Sequence, residues 1–164
     1  MLIPELFVVA DGMGGHVAGE VASKMAINTL INSIDLASPV ENPLAILERG
    51  VSEANRVVFC ESRSDLRYSG MGTTLTAVWI KEKTVYYGHV GDSRLYLFRD
   101  GELFQQTKDH SLVWELARVG SITLEETRTH PQRNILTRAV GAAETVQIDF
   151  EQFDWVEGDI LMLC

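Results

Sequence analysis

The sequence predicts an α+β fold. Two stretches with helical spacing come first, and consecutive β-type segments with very short connections follow. A doubly wound parallel sheet would need helices between those strands, and none is placed there. The 164 residues are 46% hydrophobic, enough for one domain with a substantial core, assigned to residues 1–164 as a single unit.

The elements read in order as follows. Residues 6–10 (LFVVA) form a buried-strand pattern that ends in the glycine-rich run 11–19, DGMGGHVAG. Ala18, Val21, Ala22, Met25, Ala26 and Leu30 then recur at helical spacing. Ser38-Pro39 and Asn42-Pro43 mark a turn, and a second helix carries Leu44, Leu47, Val51, Ala54 and Val58 on one face. After a polar loop at 62–70, strands are expected at 73–80, 84–90, 93–99 and 102–106. Their connections are short enough to predict an antiparallel meander. Residues 112–119 make a short helix stopped by Gly120, and 121–134 form a polar, irregular excursion. Strands at 145–153 and 159–164 close the chain. Apolar strand patterns at both ends predict part of a longer domain.

Charge and cysteine content narrow the function. There are 14 Lys and Arg against 23 Asp and Glu, a net charge of −9. So acidic a chain disfavours nucleic-acid partners, whose backbone attracts basic surfaces. Surplus carboxylates suit a divalent cation, and equally an acidic cytosolic protein. Cys60 and Cys164 read as buried small hydrophobes, with no disulfide framework. No apolar run approaches the roughly 18–20 residues of a membrane span. No basic region precedes the first apolar residues, so no secretory signal is read and the cytoplasm is expected.

Two acids stand where packing does not need them. Asp11 ends the first strand, beside Gly12, Gly14 and Gly15. A carboxylate next to exposed backbone groups suits a hard cation or a phosphate. A sharp strand-to-helix turn capped by Asp11 is the structural alternative, and a loose G-x-G-x-x-G likeness lacks the Rossmann spacing. Asp92 falls between two apolar strands, in GHVGDSRLY (88–96), as a cation ligand or an Asx-turn residue. Converging on one place, the two would make an oxygen-rich site for Mg²⁺ or Mn²⁺. His89 reads as a satisfied buried histidine, Asp109 as a helix cap and His130 as a solvated residue. Trp79, Trp114 and Trp155 read as packing.

The run VVADGMGGHVAGEVAS (8–23) resembles the metal motif of the type 2C, metal-dependent protein Ser/Thr phosphatases, the PPM family. GMGTTLTAV (70–78), HVGDSRLYLFRDG (89–101), LTRAVG (136–141) and GDILMLC (158–164) continue the resemblance in order. Asp-Gly-Met in place of Asp-Gly-His is similar to the bacterial branch. The resemblance implies two antiparallel β-sheets in a sandwich flanked by helices, incomplete in this chain, with a two-metal site between the sheets. It implies Mn²⁺ or Mg²⁺ as cofactor, Asp11 bridging two ions, Gly12 offering its carbonyl to one, and Asp92 binding a third. Since the thioether of Met13 donates no proton, His16 or a metal-bound water would protonate the leaving group. Residues 121–134 would be a flap beside the site. The implied reaction is direct hydrolysis of phosphoserine and phosphothreonine by a water that two cations activate. The implied partners are phosphorylated proteins, substrates of a cognate Ser/Thr kinase, met by a monomer.

The family pattern also has an arginine and an acid on an earlier strand, and further acidic ligands after a GDILMLC-like strand. These have no match in residues 1–164, which predicts weak or no activity for this chain alone. A phosphoprotein-binding module of the same fold is the alternative, and a nucleotide-binding protein a weaker one.

Overall fold

The computed structural model describes residues 5–38 and 40–164, without the side chains of Glu5 and His16. In chain order the elements are β1 (Glu5–Val9), β2 (Gly12–Met13), α1 (His16–Asp35), α2 (Pro43–Ser64), β3 (Gly72–Thr73) and β4 (Leu75–Lys81). Then come β5 (Thr84–Val90), β6 (Leu95–Arg99), β7 (Glu102–Gln105), α3 (Leu112–Arg118), β8 (Asp149–Asp154) and β9 (Ile160–Leu163). Residues 145–148, expected within a strand, lie outside β8.

The periodicities explain the layers. In α1, Ala18, Ala22, Ala26, Leu30 and Ile34 recur every four residues and are buried. They pack with the α2 stripe Leu47, Val51, Ala54 and Val58 over one face of the first sheet. Pro43 opens α2 at a position whose amide needs no partner, and the Asn42 side chain accepts the Leu44 amide at 2.9 Å. In β4, period two sends Leu75, Ala77 and Trp79 towards the helices, and Val78 and Ile80 to the opposite face. There Val78, Val85 and Tyr87 of the first sheet pack with Leu95, Leu161 and Leu163 of the second.

The sheets are antiparallel, with strand orders β1-β4-β5-β8 and β7-β6-β9 and a small β2-β3 ribbon. The α+β class and the two-sheet sandwich therefore hold. The continuous meander does not, because β5 and β6 fall in different sheets. Residues 91–94 carry the chain across the sandwich rather than back along its neighbour. Gly91 permits this at φ +111°, in a place where a Cβ would stand 2.6 Å from the Thr74 side chain. The cysteine reading is also corrected, since both are exposed. Cys60 lies off the α2 stripe, and Cys164 continues the outward alternation of Ile160 and Met162.

Candidate metal centre

Asp11 and Asp92 line one cavity of about 310 Å³, together with Gly12, Met13, Thr74, Asn134 and Leu136. Asp11 reaches it from the end of β1, and Asp92 from the crossover between the sheets. Hydroxyl groups lock these positions. The Asp11 amide donates to Thr74 Oγ1 at 2.8 Å, and the Thr74 amide donates to the Asp11 carbonyl at 2.9 Å. Thr73 Oγ1 donates to the same carbonyl at 3.0 Å. Thr74 Oγ1 also lies 2.8 Å from Ser93 Oγ, next to Asp92. One buried threonine thereby ties both acid-bearing segments together. The TTLT run was visible as part of a motif, but nothing in its spacing assigned hydroxyls to Asp11.

The Asp92 carboxyl is pushed above its ordinary value by burial, then by the negative charges of Asp109 and Asp11. It is a carboxylate that gains from a cation. Gly12 has a structural reason of its own to be glycine. A Cβ there would stand 1.9 Å from the Gly19 carbonyl oxygen, where the strand crosses α1. His16 begins α1, with its imidazole outside the described residues, so its catalytic reading is carried forward as an expectation only.

The surrounding polar groups are engaged with one another. Arg94 pairs with both oxygens of Asp109 at 2.9 and 2.6 Å, and Gln105 Nε2 adds a bond at 3.1 Å. Asp109 is therefore structural through this pair and not as a cap. Ser111 caps α3 by accepting the Trp114 amide. His89 is fully buried, with Nδ1 2.9 Å from Thr76 Oγ1 and Nε2 3.1 Å from the Lys108 carbonyl. The His110 amide donates to the Gly91 carbonyl at 2.7 Å, and the Gly91 amide to His110 Nδ1 at 3.1 Å. His110 Nε2 then donates to Asp149 at 3.1 Å, and Arg138 donates to the other oxygen of Asp149 at 2.8 Å. Burial alone would raise the Asp149 carboxyl; the His110 and Arg138 contacts outweigh it and hold it below the usual range. The LTRAVG stretch is a strap. Asn55 of α2 accepts the Gly141 amide at 2.8 Å and donates to the carbonyls of Ala143 and Glu144. Val140 in turn bridges to Thr73.

The donor set can be tested against a cation. Two carboxylates, hydroxyls and backbone carbonyls are hard oxygen donors of the kind that Mg²⁺ and Mn²⁺ take. Among the described residues, no three His, Cys, Asp or Glu side chains gather as a complete cage. The residues fit a divalent cation in kind, with two carboxylates facing the same cavity.

A helix-backed, two-sheet antiparallel sandwich with acids gathered at one end defines an α+β domain built around an oxygen-lined pocket. The chain belongs to the protein phosphatase 2C family, whose model matches residues 4–147. The serine/threonine phosphatase stp of Listeria monocytogenes is 40% identical over 162 residues, covering 97% of this chain and 64% of that protein. The serine/threonine protein phosphatase PstP of Mycobacterium tuberculosis is 42% identical over 159 residues, covering 97% of this chain and 30% of that protein. The crystal structure of the M. tuberculosis phosphatase PstP/Ppp superposes with a TM-score of 0.87 at 41% identity, over 96% of this chain and 66% of that one. The catalytic domain of PstP in complex with two manganese ions gives a TM-score of 0.82 at 38% identity, over 96% and 65%. The chain spans just under two thirds of the length of the Listeria relative.

Proposed function

We propose that this chain contributes to a metal-dependent protein serine/threonine phosphatase that hydrolyses phosphoserine and phosphothreonine esters in proteins phosphorylated by a Ser/Thr kinase. The observation that carries the reading is the shared cavity of Asp11 and Asp92. The named relatives, and the manganese found in PstP, support it.

Asp11 and Gly12 would hold a pair of Mn²⁺ or Mg²⁺ ions, and Asp92 a third. Bound there, the cations supply positive charge that polarises a phosphoryl group and acidifies water. The chain's own residues do the rest. Thr74 keeps the two acids in register, the apolar faces of Met13 and Leu136 limit water on one side, and His16 donates the proton to the departing serine or threonine oxygen. Among the described residues no helix is long and apolar enough to cross a membrane. We propose that the protein acts as a monomer, in the cytoplasm.

The test is phosphate release from a phosphothreonine peptide, with Mn²⁺ and with a chelator. We expect slow release that requires Mn²⁺ and falls to background in Asp11→Asn. Release that is indifferent to the chelator or to D11N would refute the assignment. The two-carboxylate donor set favours one second reading, a phosphoprotein-binding module. Peptide binding without any release in Mn²⁺ would select it.

A further inference from the structure

A cleft of about 500 Å³ adjoins the acid cavity and shares Asp92 and Asn134 with it. One wall is apolar, made by Val113 and Trp114 of α3 with Leu124. The irregular segment 121–134 supplies Arg128 and Arg133 to the same cleft. Both arginines are exposed, and neither guanidinium has a side-chain partner among the described residues.

Their charge is not cancelled by the neighbouring acids. Asp109 is held by Arg94 through a bidentate pair, and the cleft lining carries three arginines against two aspartates. The Glu126 carboxylate, on the same turn as Arg128, is engaged by the Thr123 amide and hydroxyl at 2.7 and 2.9 Å, and it does not line the cleft. Asp92 is the one lining carboxylate without a cationic partner, and it belongs to the metal end. A protein with net charge −9 thus presents a locally cationic groove, running from the reaction cavity along an apolar wall.

Resting on the phosphatase reading above, we propose that Arg128 and Arg133 select phosphopeptides that carry an anionic side chain close to the phosphorylated residue. A guanidinium pairs with a carboxylate or a second phosphate through two parallel N–H···O bonds, which a neutral or basic neighbour cannot match. The Trp114 wall gives the intervening peptide an apolar surface to lie on. Exposed pairs of this kind are individually weak, so the preference is a moderate one, summed over two arginines.

The experiment measures fluorescence-anisotropy binding of labelled phosphothreonine peptides to the full chain in Mn²⁺. Flanking positions are all Ala, Asp/Glu, Lys, or one further phosphothreonine. In parallel, hydrolysis of p-nitrophenyl phosphate, too small to reach the groove, reports on the phosphatase reading by itself. We expect the Asp/Glu and doubly phosphorylated peptides to bind about tenfold more tightly than the Ala peptide. The double variant Arg128→Glu/Arg133→Glu should erase or invert that preference. The lysine double variant should keep the order of the peptides with a smaller spread. Both positions are exposed, so folding is checked by circular dichroism and is expected to be unchanged. Tighter binding of the doubly phosphorylated peptide alone confines the anion to phosphate. Equal binding of Ala and acidic peptides, or a preference that survives charge reversal, overturns the proposal even where p-nitrophenyl phosphate is hydrolysed. A preference lost on charge reversal upholds the selection even where that hydrolysis is absent, and the failure then falls on the phosphatase reading.

Discussion

At the scale of single residues, the site depends on side chains that bear no charge. Thr74 Oγ1 accepts the Asp11 amide and meets Ser93 Oγ, each at 2.8 Å. Thr74→Val preserves shape and removes both contacts, leaving the partly exposed Asp11 amide and the buried Ser93 hydroxyl without this partner. A buried orphan costs about 1–3 kcal/mol, and an amide within reach of water costs less. Urea denaturation should show Thr74→Val less stable by roughly 1–3 kcal/mol, with weakened Mn²⁺ binding, and Thr74→Ser nearly wild type in both. A valine variant with wild-type stability and affinity would remove Thr74 from this role. The sequence made Asp11 and Asp92 legible, because an acid at the end of an apolar strand has no packing purpose. It could not make Thr74 legible. The threonine's partners lie 63 and 19 positions away, and only the closed sandwich brings them together.

At the scale of elements, the seam between β5 and the segment leading into α3 gives the fold a titrating joint. His89 is fully buried, and its value is pushed down to about 4, first by burial and then by His110. Asp149 and Asp109 oppose that shift, as does the hydrogen bond to Lys108. An unfolded histidine with the ordinary value of 6.5 takes up a proton between pH 6.5 and 4, while the folded one stays neutral. Protons therefore favour the unfolded state in that interval. The contribution of neutral His89 is complete above pH 6.5 and is lost as the pH falls towards 4, on the order of 3 kcal/mol in all. Denaturation midpoints measured from pH 7 to 4 should fall accordingly, and His89→Gln should flatten the slope whatever its absolute stability. An equally steep variant would place the titration elsewhere. The burial of His89 was readable from its position on an apolar strand. The crossover after β5 was not, because so short a connection serves equally for a hairpin and for a corner between sheets. Gly91 decides for the corner, through a conformation and a closeness to Thr74 that pattern alone does not display. Asp109 was misread for a related reason. Its neighbour Ser111 takes the cap, and Arg94, fifteen residues earlier, takes the carboxylate.

At the scale of the whole molecule, the acid cavity sits where the two sheets depend on each other. Asp11 extends from the first sheet, while Asp92 stands on the only described link that runs directly from β5 into the second sheet. Asp11 and Asp92 face a common space at the join, and burial first, then the negative charges of Asp109 and Asp11, act against the ionisation of Asp92. A divalent cation reverses the sign of that interaction, and it does so only when both acids are in place, in the folded chain. Binding confined to the folded state stabilises by RT ln(1 + [L]/Kd), about 2.7 kcal/mol at a hundredfold excess over Kd. For a chain of this size that corresponds to a rise in Tm of about 5–10 °C. Thermal unfolding followed by circular dichroism should show this rise in Mn²⁺, its removal by a chelator, and its loss in Asp11→Asn. Asp92→Asn should differ in kind. Without metal it relieves the repulsion and raises Tm slightly, while in Mn²⁺ it gains less than the wild type. A melting temperature unmoved by Mn²⁺ in the wild type would mean that the two acids do not share a cation, and the cavity would then have to be read as a structural join alone.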